Sequence, residues 1–399
     1  MIRGHVIRLD PTAKQEEFFW QCAGVARAAY NWGVENWRTQ YAAGGRPNEC
    51  ALRRELNAIK REKFPWMLVV PKRVAQQALM DLGTAYQNFF NSLSGKRKGA
   101  KVAPPDFKSK HHCRASARLD NGPGTFSFED GVVRLPKVGD VRLFESLRFD
   151  GRPMSTRLSH VGGRWWLSVQ VELPDPPETP VTGPSVGIDL GLKTALVLSD
   201  GTTFESPRPL KAALERLKRL GRYVSRKVKD SKNRQKAVRR LSRQHWKVAQ
   251  IRKDWQHKTT TAIAKRYGVV GLEDLNVKGM MKLHGLARAI SDVGFFEIRR
   301  QLTYKAQRVV VIDRWLPTSK TCSNCGCKKD ILSLSERVFR CTDCGFEIDR
   351  DLNAAINIHT ASCAVINACG DGSSGPGRKT RVKLPSSKQE LDRDRKVTN

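Results

Sequence analysis

Apolar residues at Phe19, Cys22, Ala26, Tyr30, Val34, Trp37 and Tyr41 advance in steps of three and four. That spacing marks one face of a helix. Asp10 and Pro11 just before it read as a cap and a first-turn residue, so the helix is expected to start there. A second helix is predicted from about Pro71 to Leu93, with Ala75, Ala78, Leu82, Tyr86 and Phe89 on one face. Arg3 to Leu9 alternates loosely and reads as a strand. From Ala115 to Leu173 the texture changes to alternating runs broken by Asp-Gly, Gly-Asp and Gly-Gly, which are antiparallel hairpin signals. The proline-rich stretch 174–184 reads as a linker. The expectation is a small β domain, completed by the N-terminal strand, with a helical domain inserted into it.

After the linker, SVGIDLGLKTALVLSDGTTF is again a hairpin pattern with its turn at Asp200-Gly201. Residues 205–258 carry 19 Lys or Arg against 4 acids and predict a basic helical hairpin. VVGLEDL (269–275) and VVVIDRW (309–315) read as short buried strands with a helical segment between them. The tail from Ala368 is polar and rich in Gly and Ser, the composition of a disordered segment.

Lys and Arg total 72 against 39 acids, a net charge of +33. A charge this large says nothing about fold but points to a polyanionic partner, and at this length to nucleic acid. A hydrophobic content of 39% excludes a wholly disordered basic chain. No apolar run approaches a membrane span, and the first residues have no signal-peptide pattern, so neither membrane residence nor secretion is expected. Ten cysteines are too few for a disulfide scaffold.

Four of them form Cys322-x2-Cys325, then 15 residues, then Cys341-x2-Cys344. This is four-cysteine zinc-ribbon spacing, with Gly326 and Gly345 placed to free each knuckle turn. Cys327 could compete, but Cys325 preserves the two-residue spacing. Three acids form a second set. Asp189 and Glu273 end apolar strands, and Asp351 in DRDLNAAINI lies at a predicted helix start. Acids so placed can converge at one sheet edge. Converging carboxylates are hard to bury without cations, and two divalent ions would resolve the repulsion and clamp a phosphodiester displacement. Magnesium suits such hard oxygen donors. The order of hairpin with Asp, helix, strand with Glu, helix, strand and helix with Asp is the one expected of a ribonuclease H-like nuclease.

The pieces GIDLGLKTALVLSDG, VVGLEDLNVKGM, PTSKTCSNCG, CTDCGFEIDRDLNAAINI and the basic stretch 231–258 resemble the TnpB family. These are transposon-encoded RNA-guided DNA nucleases related to type V CRISPR effectors. The resemblance is strong from about Val186 to Ile358, weaker through PPDFKSK and YNWGVENW, and absent from the tail. It implies a multidomain α/β plus β protein. A RuvC-like nuclease domain (184–316 and 346–366) would carry an inserted zinc ribbon (317–345). A wedge-like β-barrel domain (1–10 and 111–178) would hold a helical recognition domain (11–110), with 367–399 disordered.

By motif match the resemblance implies a catalytic triad of Asp189, Glu273 and Asp351. Within DRDLNAA it selects Asp351, leaving Asp349 as a supporting or capping group. It also implies two catalytic magnesium ions and one structural zinc. Implied partners are a guide RNA from the transposon end and double-stranded target DNA read beside a short flanking motif. One chain per RNA in a prokaryotic cytosol would follow. Arg239, Arg240, Arg243, Lys72 and Arg73 are candidate nucleic-acid contacts. Trp20, Tyr30, Trp32 and Trp37 could stack on bases, though core packing is the commoner role. The rival readings are a guided DNA-binding regulator without cleavage and a strand-transferring transposase. Intact acids weigh against the first, and the ribbon between the Glu and final Asp motifs weighs against the second.

Overall fold

The computed structural model describes residues 1–97, 99–110, 113–120, 123–175, 180–333 and 335–368. Part of the expected linker and the tail from residue 369 onward lie outside the described residues. The chain divides into two compact units, Met1–Pro177 with Val238–Arg243, and Glu178–Ala237 with Gln244–Asn399. No helix among the described residues is long and apolar enough to cross a membrane.

The first unit opens with β1 (Ile2–Asp10), followed by α1 (Ala13–Ala42), α2 (Glu49–Lys63) and α3 (Lys72–Leu93). The start of α1 differs from expectation. Thr12, not Asp10, is the cap: Gln15 N–H donates to Thr12 Oγ1 at 3.3 Å, and Thr12 N–H donates to Gln15 Oε1 at 3.0 Å. This reciprocal box satisfies two donors at once, while Asp10 is held in the sheet opposite Arg142. α2 has no counterpart in the sequence reading, because only Leu52 and Leu56 of its fifteen residues are buried.

The strands β2 (Ser116–Ala117), β3 (Ser127–Glu129), β4 (Val132–Leu135), β5 (Gly139–Leu143), β6 (Arg152–Val161) and β7 (Arg164–Glu172) follow. They form one antiparallel sheet with β1, in the order β2-β6-β7-β1-β5-β4-β3. β1 is the pivot: residues 2–8 pair with β7, and Leu9 and Asp10 pair with β5. The N-terminal strand therefore lies in the middle of this sheet. Backbone pairing leaves β2 and β3 as the two ends, so the expected barrel is not closed by ladders among the described residues. Phe19, Leu52, Leu79, Leu82, Leu158 and Leu167 are fully buried members of one continuous core. The helical insert and the sheet therefore share a hydrophobic interior; burying each such side chain contributes roughly 1.5–3 kcal/mol.

The second unit contains β8 (Ser185–Leu190), β9 (Leu196–Leu198), β10 (Thr203–Phe204), α4 (Pro209–Ser225), α5 (Lys232–Arg266), β11 (Val269–Glu273), α6 (Val277–Met280), α7 (His284–Val293), α8 (Phe295–Lys305), β12 (Arg308–Ile312), β13 (Val338–Arg340), β14 (Glu347–Asp349) and α9 (Arg350–Ala368). Its main sheet runs β10-β9-β8-β11-β12. β8 and β9 are antiparallel, whereas β8, β11 and β12 are parallel. The short apolar runs read from the sequence are these central strands, and Val186, Ile188, Val270 and Leu272 are buried. Near-continuous apolar runs suit parallel strands covered on both faces. Helix α9 packs on β8, β11 and β12, and it runs to Ala368. β13 and β14 form a separate antiparallel hairpin between Val338 and Asp349.

Candidate active site and cysteine cluster

The register of two parallel strands fixes the first pair of acids. Leu272 of β11 is the partner of Ile188 of β8. Asp189 and Glu273 each follow by one residue, so both carboxylates leave the sheet at the same edge. Asp351 arrives from the first turn of α9, the helix that crosses these strands. Burial, then the charges of Asp351 and Glu273, push Asp189 up to about 7, against the Arg350 guanidinium and the Leu190 backbone N–H. Burial and neighbouring Asp274 also raise Glu273 above the ordinary carboxylate range. Asp189 thus feels both Asp351 and Glu273, acids from distant parts of the chain, although among the described residues the four cysteines are the group whose ligand atoms cluster closely enough to hold a metal. The repulsion among the acids fits a site that takes up cations.

The two aspartates of DRDLNAA have different surroundings. Asp349 Oδ1 accepts the backbone N–H groups of Asp351 (2.9 Å) and Leu352 (3.0 Å), so Asp349 caps α9. Asp351 instead has Arg350 Nη2 3.4 Å from its Oδ1 and raises Asp189 electrostatically. Next to the site, Asp274 is held by Arg299 and Arg314 from two further elements. The sequence reading missed this trio, whose only local signal is an acid directly after Glu273.

The thiolate-type ligand atoms of Cys322, Cys325, Cys341 and Cys344 lie within 4.8 Å of one another. Cys322 and Cys344 sulfurs are 3.8 Å apart and those of Cys325 and Cys341 3.6 Å. Cys327 lies outside this group. Its carbonyl instead accepts the Cys322 N–H at 2.8 Å, just as the Phe346 carbonyl accepts the Cys341 N–H at 2.9 Å. The two knuckles therefore close in the same way. Gly326 and Gly345 take φ values of 77° and 68°, a left-handed backbone that favours glycine. The Phe346 backbone N–H, aided by Asn324 and neighbouring thiols, holds Cys344 down at about 6. Four thiol donors at this spacing are the ligand set of a closed tetrahedral zinc site.

Asn353 and Asn357 tie the first knuckle to α9. Asn353 Nδ2 donates to the Thr321 carbonyl at 2.7 Å and its Oδ1 accepts the Ser323 N–H at 2.9 Å. Asn357 Nδ2 donates to the carbonyls of Thr318 and Thr321. Both asparagines stand in the quoted motif DLNAAINI, but nothing in their spacing reveals these partners.

Arg239, Arg240 and Arg243 are exposed on α5, within the segment that clusters with the first unit. Lys72 is exposed at the start of α3, and Arg73 beside it is half-buried, its Nε without a hydrogen-bond partner among the described residues. Tyr30 and Trp37 are buried, and Trp37 stacks on Tyr86 at 4.1 Å. Trp32 packs against the core and Trp20 against Trp165. Packing accounts for Tyr30 and Trp37, whereas Trp20 stays 41% exposed.

A family model described as "Probable transposase" matches residues 168–284, one described as "Cas12f1-like, TNB domain" matches 295–358, and one described as "Helix-turn-helix domain" matches 1–46. Residues 1–46 here form β1 and the uninterrupted helix α1. A protein of Streptomyces pristinaespiralis named "Putative RNA-guided DNA endonuclease" is 35% identical, with 98% of this chain and 96% of the relative covered. "Putative RNA-guided DNA endonuclease InsQ" of Escherichia coli (strain K12) is 33% identical, with 91% and 93% covered. Among solved structures, a chain of the "Cryo-EM structure of the Cas12f1-sgRNA-target DNA complex" matches with a TM-score of 0.51 at 15% identity, covering 87% of this chain and 83% of that one. That last likeness is one of fold.

Proposed function

The chain belongs to the TnpB family of transposon-encoded RNA-guided DNA nucleases, and on that premise we propose that it is an RNA-guided, metal-dependent DNA endonuclease whose cutting site is Asp189, Glu273 and Asp351. The observation that carries this reading is Asp189, pushed up to about 7 by burial and by the charges of Asp351 and Glu273. Buried carboxylates that repel one another call for cationic company, and hard oxygen donors suit magnesium. When bound, two such ions would supply an activated water and stabilise the leaving oxygen of a phosphodiester. The chain's own residues supply the frame. The β8–β11 register orients Asp189 and Glu273, and α9, capped by Asp349, carries Asp351.

In this reading the five-stranded unit is a RuvC-like, ribonuclease H-like nuclease domain. Residues 317–345 form a zinc ribbon inserted before α9, its metal held by Cys322, Cys325, Cys341 and Cys344. Four thiolates leave no open coordination position, so that zinc is structural. The N-terminal β sheet and its helical insert serve as wedge and recognition domains. A chain of +33 charge is suited to a guide RNA and a guide–target duplex. Base pairing would then read the target, while protein reads duplex shape and a short flanking motif. Arg239, Arg240, Arg243, Lys72 and Arg73 are proposed to contact phosphates.

The test is plasmid cleavage by the full chain purified with its own RNA, in magnesium. Cutting confined to plasmids matching the copurified guide is expected. Cutting that persists after the RNA is removed would overturn the guided reading.

A further inference from the structure

Glu273 does more than end a strand. It is one wall of a cavity of about 190 Å³ whose other walls include Leu190, Val277, Phe295, Phe296 and Arg314. Of the three acids, Glu273 lines the cavity, and Leu190, also in the lining, is the chain neighbour of Asp189. Phe295 is fully buried and forms part of the second unit's core. Phe296, the next residue, is 67% exposed. A single exposed aromatic is ordinary; one that lines a cavity shared with Glu273 is not accounted for by core packing.

The charge around this cavity is equally specific. Arg299 reaches Asp274 from α8, and Arg314 reaches the same carboxylate from the segment after β12. One carboxylate cannot neutralise two guanidiniums, so the trio keeps one net positive charge, set against the Glu273 carboxyl in the same lining. Lys278 adds a second cation to the lining. The pairing with Asp274 also fixes both guanidiniums in place, which reduces the entropy lost when they meet a ligand.

A small cavity with apolar walls at Leu190, Val277 and Phe295, an exposed aromatic ring at Phe296 and fixed cations in its lining is complementary to an amphipathic anion with a flat ring. The cavity is about six water volumes in size. That is well below the ordinary range for a drug-sized ligand. A base inside a duplex cannot enter it, whereas an unpaired one can. We propose that this cavity seats one unpaired nucleotide of the DNA strand being cut, its base against Phe296 and its phosphate at Arg314 and Arg299. The proposal rests on the nuclease reading of the adjacent acids. Stacking on an aromatic with phosphate held by cations is the general pattern of sequence-tolerant single-strand binding. Seated there, the strand would be positioned with its neighbouring phosphodiester at Asp189 and Glu273.

The test uses the full chain loaded with its RNA and a short single-stranded oligodeoxynucleotide containing 2-aminopurine, titrated in magnesium-free buffer. Fluorescence reports stacking of the probe base without any cleavage. Phe296→Ala is expected to weaken binding about tenfold and to relieve the quench at saturation, while Phe296→Tyr behaves as the wild type. Arg314→Gln should flatten the dependence of log affinity on log salt by about one phosphate contact. The RNA content of purified Phe296→Ala should equal that of the wild type, which shows that guide loading is intact. Equal affinity and equal quench in wild type and Phe296→Ala would overturn the proposal. Failure of the wild type to cut matched plasmid would instead overturn the nuclease reading, and the titration would still decide whether the cavity takes a base.

Discussion

Gly187 of β8 and Gly271 of β11 are register partners on adjacent parallel strands, and neither has room for a Cβ beneath α9. At Gly187 an added Cβ would lie 2.3 Å from both the Ala355 carbonyl oxygen and the His359 backbone nitrogen. At Gly271 it would lie 2.2 Å from the Ser362 hydroxyl oxygen. The paired glycines let the helix lie directly on the sheet, and this contact brings Asp351 to the acids at the strand ends.

The obstruction is backbone at Gly187 but a side chain at Gly271, so the two substitutions should differ. Gly187→Ala must displace α9 itself and is expected to destabilise the protein by about 1–3 kcal/mol and reduce cutting sharply. Gly271→Ala can be relieved by movement of Ser362 and should be milder on both counts. Thermal unfolding measured beside plasmid cutting checks the ranking; equal effects would mean that α9 is not seated by these contacts.

Asn353 joins α9 to the first cysteine knuckle through two hydrogen bonds and is fully buried. Asn353→Ala leaves the Ser323 N–H and the Thr321 carbonyl without this partner, at a cost of about 1–3 kcal/mol. Faster loss of zinc to a chelator is the expected signature. An exchange rate equal to wild type would show that the ribbon does not depend on the helix.

One zinc per chain is expected in freshly purified protein, because the four thiols form one closed ligand set. Cys322→Ser should lower zinc content and unfold the ribbon, while Cys327→Ser should leave both nearly unchanged. Elemental analysis of the two variants distinguishes them. Zinc retained by Cys322→Ser but lost by Cys327→Ser would reassign the ligand.

Asp189 also predicts a pH dependence for the magnesium-free protein. Its carboxyl titrates at about 7 in the fold and at about 3.9 in an unfolded chain. Between those values the folded state retains a proton that the unfolded state has released. Stability from this group is therefore fully present below about pH 4 and is lost as pH rises through about 7. Asp189→Asn should flatten that fall, and magnesium should stabilise the wild type more at pH 8 than at pH 5. Thermal scans across pH, with zinc retained, check both. A slope unchanged by Asp189→Asn would remove the coupling among the acids.

Much of this site could be read before the fold was known. Asp189 and Glu273 stood out because short apolar strands ended at an acid, and parallel register then places such ends side by side. The cysteines stood out because knuckle spacing is local. Other features depend on contacts between segments far apart in sequence. Asp274 meets Arg299 and Arg314 only when β11, α8 and the segment after β12 converge. The buried partners of Asn353 belong to the cysteine knuckle, and no periodicity reports them. At the first helix, sheet pairing claimed Asp10 and left the cap to Thr12. Helix α2 was missed because a nearly all-polar surface hides its two buried leucines.

The most direct measurement of the central claim is magnesium-dependent plasmid cutting by the RNA-loaded protein with Asp189, Glu273, Asp351 or Asp349 changed singly to Ala, each run beside a target-binding assay. The first three changes should reduce cutting by roughly a thousandfold or more, because groups that act as a unit fail together. Target binding should survive, since it rests mainly on base pairing and backbone contacts. Asp349→Ala should lose only a helix cap, worth about 1 kcal/mol, and keep most of its activity. Near-normal cutting by Asp189→Ala or Glu273→Ala would contradict the assignment of this site.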